Sequence, residues 1–144
     1  MEWADYLARG VPKNAVIYHM TERQDFESQV SRDQVYFPPT YEQDGFVHAT
    51  AEPSFLLGVG NLFYKDKVGD WICLEIDCQK LKSRVVYEPA AAVGSTQHKR
   101  LGDEKSDEPL FPHIYGGINA DAVSRTYNII RGIDGAFHAI DGLV

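Results

Sequence analysis

Cysteine is scarce in this chain: there are two among 144 residues, Cys73 and Cys78, both in WICLEIDC. On one strand, five residues at ~3.3 Å each hold them about 16 Å apart, beyond the ~7 Å that a disulfide spans. There is no second cysteine pair to complete a zinc site, so both read as reduced structural thiols. Basic charge is also short, with 14 Lys and Arg against 21 Asp and Glu and a net charge of −7. That argues against wrapping a nucleic-acid backbone, which needs a basic footprint. It leaves room for a small anionic ligand held by local donors. No apolar run reaches the ~18 residues of a membrane span. The N-terminus MEWADYLARG lacks the basic start and apolar block of a secretory signal, so the expected location is cytoplasmic. G-x-G-x-x-G in strand-turn-helix placement, the P-loop, the H-E-x-x-H helix and the G-x-S-x-G elbow are all missing. These absences set aside a Rossmann fingerprint, a P-loop nucleotidase, a zincin and a serine hydrolase.

What is present is ordinary globular material. The chain is 44% hydrophobic and 24% charged, and its length suits one domain. Residues 1–14 read as an extension, in which Trp3, Tyr6 and Leu7 form a possible docking turn before Gly10 and Pro12 break it. Residues 15–144 read as a single domain. AVIYHM (15–20) has strand composition. Thr21 and Gln24 then make a T-x-x-Q capping box that would open a helix. QVYFP (34–38) reads as a strand closed by Pro38-Pro39, PPTYEQDG as a loop, and FVHA (46–49) as the next strand. Thr50 is placed as the N-cap of a helix over AEPSFLLGVGNLFYK. Gly58 and Gly60 would weaken that helix by about 1 kcal/mol each, unless they mark close packing. DWICLEID (70–77), RVVYE (84–88) and VSRTYNIIR (123–131) are strands, and the tail holds an Asp-Gly turn and one more. Residues 89–109 have no periodicity and read as a long mobile loop. The fold class is α+β.

The chemistry-bearing pattern is a repeat. VIYHMT and GFVHAT both end in His-x-Thr. Because strand side chains alternate faces, His19 lies beside Thr21, and His48 beside Thr50. Each strand would feed a helix N-terminus, a place where an anion or ribose hydroxyls can be held. A third histidine occurs in FPHIYGG, where His113 and Tyr115 are two apart. Gly116 and Gly117 there would let a ligand approach the backbone. Taken singly, each histidine also suits a satisfied core position, each Thr a cap, and FPHIYGG a rigid turn.

The ordered segments IYHMT, VYFPPTYEQDGFVHAT, FLLGVGNLFYKD, WICLEID, RVVYEP and FPHIYGGI resemble the DUF952 family of uncharacterised domains, over residues 15–131. The resemblance implies a fold grouped with ADP-ribosyltransferase-like proteins, which include RNA 2'-phosphotransferases and NAD-using toxins. It implies a split, curved β-sheet around a cleft, with a few short helices. It also implies a ligand, NAD or an ADP-ribose derivative. His19 matches the histidine that touches the nicotinamide ribose in those relatives, and GFVHAT matches their second motif. Their acidic third element has no clear counterpart. Glu88 is the nearest candidate, and His113 is a possible replacement.

The expected function is therefore binding of NAD, ADP-ribose or a phosphorylated nucleotide in a His-lined cleft, with possible transfer or hydrolysis. His19, His48 and Glu88 would be catalytic. His48 would act near its ordinary pKa of about 6.5 or hold a phosphate. Thr21, Thr50, His113, Tyr115 and Gly116 would bind ligand, and no metal is expected. Two alternatives stand beside it: a metal-dependent hydrolase or metal-binding protein using the three histidines, and a non-catalytic ligand-binding module. The expected partner is a nucleotide-like small molecule, on a monomer or weak dimer.

Overall fold

The computed structural model describes residues 14–89 and 110–144. The expected extension at 1–14 and the loop at 89–109 therefore fall almost wholly outside the described residues. The architecture is α+β. Its strands are β1 (Val16–Glu22), β2 (Val47–His48), β3 (Trp71–Asp77), β4 (Arg84–Pro89), β5 (Leu110–Tyr115), β6 (Val123–Arg131) and β7 (Phe137–Ile140). Its α-helices are α1 (Arg23–Val30), α2 (Tyr41–Asp44) and α3 (Leu56–Phe63). No described helix is long and apolar enough to cross a membrane.

The strands form two sheets, ordered β1-β3-β6-β7 and β2-β5-β4, and every ladder is antiparallel. Among the described residues, a single backbone bridge joins the sheets. Tyr18 and Thr50 exchange both backbone hydrogen bonds at 2.8 Å. The larger sheet is covered on both faces, which explains why WICLEID is buried nearly throughout rather than on alternate residues. Ile72, Leu74 and Ile76 pack with Ile17, Val47 and Ile114 on the side of the smaller sheet. Trp71 and Cys73 pack with Met20, Leu56, Phe63 and Phe137 on the other. Both cysteines are buried reduced thiols, and burial pushes the Cys73 thiol up to about 12.

Several local expectations give way to longer-range pairing. Thr21 does not cap a helix, because the β1–β3 ladder runs on through Thr21↔Ile72 and Glu22↔Trp71. Glu22 is the N-cap residue instead, and it makes no side-chain cap bond. Thr50 is not a cap either, since its backbone is committed to Tyr18. A 3-10 turn at Pro53–Phe55 precedes α3. Residues 34–38 shrink to one bridge, Tyr36↔Ile118. The Gln29 side chain satisfies both backbone groups of Phe37, in place of a strand partner. PPTYEQDG is not wholly loop, because its last residues make the single turn α2. Gly45, at φ +80°, closes that turn.

Candidate functional site

Beyond the Tyr18–Thr50 bridge, β1 continues alongside Pro38, Pro39 and Thr40. A cavity of about 160 Å³ lies there, along the second half of β1. His19 and Thr21 of β1 line it, together with Trp71 at the start of β3, Phe63 and Tyr64 at the end of α3, and Lys67. The cavity arises from the topology. β2 is two residues long, and the backbone pairing that follows it on β1 ends at the Tyr18–Thr50 bridge, short of the stretch of β1 that lines the cavity.

The histidine here is fixed in one chemical form. His19 is 4% exposed, and its Nδ1 lies 2.6 Å from the carbonyl oxygen of His48. A carbonyl only accepts, so Nδ1 carries the proton and donates. Burial pushes the His19 pKa down to about 4, leaving the ring neutral at pH 7. Its Nε2 is then a bare acceptor, and it is buried with no hydrogen-bond partner. Trp71, 8% exposed, has the complementary deficit: its indole Nε1–H is also buried and unpartnered. Among the described residues these are the two buried side-chain polar atoms in that condition, and both residues line the same cavity. Buried polar groups in native proteins are nearly always paired, but these two are not a pair: the β1–β3 register sets His19 beside Leu74 on one face of the larger sheet and Trp71 beside Glu22 on the other. The Thr21 hydroxyl is not available in the same way, because it hydrogen-bonds the buried Tyr36 hydroxyl. The acidic side chains of Glu22 and Asp25 also line the cavity.

The three histidines form a row rather than one pocket. Cross-strand pairing sets His48 against His113, with ring centroids 5.7 Å apart and nearly perpendicular. Each is held by a carboxylate. His48 Nε2 lies 2.8 Å from Asp44, whose side chain is 4% exposed, and His113 Nδ1 lies 2.9 Å from Glu88. Phe46 stacks on the His113 ring at 4.1 Å. His19 touches this row through the His48 carbonyl, but of the three it alone lines the cavity. Burial lowers the pKa of both His48 and His113, opposed by their hydrogen bonds to Asp44 and Glu88. The expectation that His48 titrates near its ordinary value therefore fails.

Glu88 accepts from the Tyr115 hydroxyl at 2.6 Å as well as facing His113, and the Tyr115 bond first, then the His113 bond, lower its pKa. It is a stabilised anion rather than a poised acid. Tyr115 is 39% exposed, with its hydroxyl on Glu88 and its ring 5.5 Å from Phe46. Gly116 does not make room for a ligand: it sits at φ +135°, and a Cβ there would meet the Ser83 hydroxyl at 2.3 Å. Ser83 fills that space and donates to the Gly117 carbonyl at 2.6 Å. Thr50 is buried at the bridge between the sheets. Among the described residues, no group of three or more His, Cys, Asp or Glu side chains is placed to hold a metal ion. The three-histidine metal arrangement thus does not form, as two of the rings are turned to carboxylates.

Sequence reasoning missed Trp71, Asp44 and Tyr36. Asp44 carried a signal, since it stands four residues before His48, just ahead of the turn-forming Gly45. Trp71 carried none, because nothing local says that an indole N–H in an apolar strand lacks a partner.

Residues 20–126 match the profile of a family described as "Protein of unknown function (DUF952)". No curated protein matches the chain. Three solved structures, all of protein CC0527 from Caulobacter crescentus, resemble it. The crystal structure is 15% identical, with a TM-score of 0.64 over 85% of this chain and 93% of that one. A double mutant of the same protein gives 14% and 0.64 over the same shares. The solution NMR structure gives 15% and 0.60, over 86% and 92%. At such identities the likeness is one of fold.

Proposed function

This chain belongs to the DUF952 family, and from its site we propose that it is a binding protein for a nucleotide-type small molecule, NAD or an ADP-ribose derivative. One part of the ligand enters the cavity along β1. The observation that carries this is the cavity itself, which has the first-strand His19, the aromatic residues Phe63, Tyr64 and Trp71, and the cationic Lys67 in its lining. About 160 Å³ is well below the roughly 300 Å³ of a pocket that engulfs a drug-sized molecule. The cavity therefore takes one ring of the ligand, and the remainder lies outside, within reach of Lys67. The ADP-ribosyltransferase-like reading of the fold is supported by two features: the strands divide into two sheets, and a first-strand histidine lines a cavity.

Binding without turnover is the reading that the titratable groups favour. His19 is a weak base, with a pKa near 4. Glu88 is held as an anion and does not line the cavity, and neither do His48 and His113. Calorimetric titration of the full chain with NAD and with ADP-ribose tests the proposal. The expected result is one-site binding to wild type by at least one of them, weakened about tenfold or more in His19→Phe, the scale of one lost buried hydrogen bond. Heats of dilution alone with both ligands would refute it.

A further inference from the structure

We propose that His48 and His113, paired across the smaller sheet, bind a divalent transition-metal ion of the zinc class between them. The backbone sets the pair. Ala49 N–H donates to the Pro112 carbonyl at 3.1 Å, so the next residues along, His48 and His113, form a non-hydrogen-bonded pair of the antiparallel ladder. Side chains of such pairs start close together, with Cβ atoms about 4.5–5.5 Å apart. Val47 and Ile114 pack into the core, which turns both histidines to the opposite face of the sheet. Neither histidine lines the cavity along β1, so this site stands apart from the proposed ligand site.

Each ring has one nitrogen spent and one left over. His48 Nε2 lies 2.8 Å from Asp44, and His113 Nδ1 lies 2.9 Å from Glu88. A carboxylate only accepts, so these two nitrogens carry the protons, and His48 Nδ1 and His113 Nε2 are bare acceptors. Among the described residues neither bare nitrogen has a hydrogen-bond partner, and neither is sealed off as His19 Nε2 is. A histidine that ligates a metal takes this form: its other N–H goes to a carboxylate, which orients the ring and raises its basicity. Here the form occurs on two neighbouring rings. Their spacing agrees. Two imidazoles on one tetrahedral ion, with bonds of about 2.0–2.1 Å, put their ring centres roughly 5–6 Å apart, and these centres are 5.7 Å apart. Phe46 covers a face of the His113 ring, so the ion approaches at the ring edge, where the lone pair lies. Asp44 and Glu88 offset the charge of a dication, opposed on this face by the exposed Arg84 beside Glu88. Imidazole ligands suit zinc, copper and nickel rather than magnesium or calcium. With two protein ligands, water fills the remaining positions. His19 takes no part, because its Nδ1 is bonded to the His48 carbonyl and its Nε2 is buried.

The test is a titration of the full chain, ¹⁵N-labelled and free of any histidine tag, with Zn²⁺ at pH 7. Calorimetry and the imidazole ¹⁵N spectrum are the readouts. The expected result is one ion per chain, with the His48 Nδ1 and His113 Nε2 resonances moving together while the His19 resonances stay in place. Mg²⁺ should move neither. His48→Phe and His113→Phe should each weaken Zn²⁺ binding by more than about tenfold, and Glu88→Gln, which keeps both rings, by about tenfold. Replacing the exposed His138 by Ala should leave it unchanged. The wild-type spectrum decides the matter even where a variant fails to fold. No Zn²⁺ binding by wild type, or Zn²⁺ that moves other histidines and leaves His48 and His113 unmoved, overturns the inference.

Discussion

At the scale of single residues, the account rests on protonation. His19 in the folded chain has a pKa of about 4, below the unfolded value of ~6.5. The unfolded chain therefore takes up the proton first as pH falls. The stability tied to neutral His19 is complete above pH ~6.5 and is lost between there and pH 4, a loss on the order of 3 kcal/mol. His48 and His113 shift in the same direction and add to it. Urea denaturation at pH 7 and pH 4.5 should show wild type losing more stability than His19→Phe over that interval. Equal losses would mean that His19 is not buried neutral. A second residue-level prediction concerns Asp44. Asp44→Ala leaves the buried His48 ring without its carboxylate and should cost about 1–3 kcal/mol, with Asp44→Asn costing less. Denaturation midpoints at pH 7 decide it. The sequence exposed His19 as a candidate, since a polar ring in an apolar strand stands out. It hid Trp71, because an indole in WICLEID looks like any core aromatic, and its missing partner is a fact of three dimensions.

At the scale of elements, two glycines in one helix give opposite predictions. A Cβ at Gly58 of α3 meets nothing within 4 Å, whereas one at Gly60 would lie 2.4 Å from the Phe137 ring. Gly58→Ala should raise stability by up to about 1 kcal/mol, the helix-propensity gain. Gly60→Ala should lower it, as the ring of β7 must move. Thermal melts of the two variants should shift in opposite directions, and a shared direction contradicts the packing described. Gly116→Ala should also destabilise, since its positive φ and the Ser83 hydroxyl both exclude a side chain. Element identity was largely legible. VSRTYNIIR and WICLEID read as strands, and the Asp-Gly turn with its following strand was found. Element ends were not. Thr21 and Thr50 have the local chemistry of caps, but ladder bonds to Ile72 and Tyr18 hold both in extended backbone. A cap motif is a local preference worth about 1 kcal/mol, which a ladder fixed by two packed cores overrides.

At the scale of the molecule, the strands divide into two sheets, and the cavity lies along β1 of the larger one. Strand order cannot be read from one sequence, so neither the single Tyr18–Thr50 bridge nor the opening beyond it was foreseeable from GFVHAT or VIYHMT. The matched His-x-Thr pair was visible, but its meaning changed once the chain was folded. One member puts its histidine ring on the cavity. The other puts its histidine carbonyl on that ring and turns its own side chain to Asp44. The two junctions are thus not equivalent halves of one anion site, and the second sets the protonation of the first. The most direct measurement is the ¹⁵N spectrum of the His19 imidazole at pH 7, with and without ADP-ribose. The account predicts a neutral ring protonated at Nδ1, whose unprotonated Nε2 resonance shifts on addition of ligand. A ring protonated at Nε2, or an Nε2 signal unmoved by saturating ADP-ribose, would contradict it.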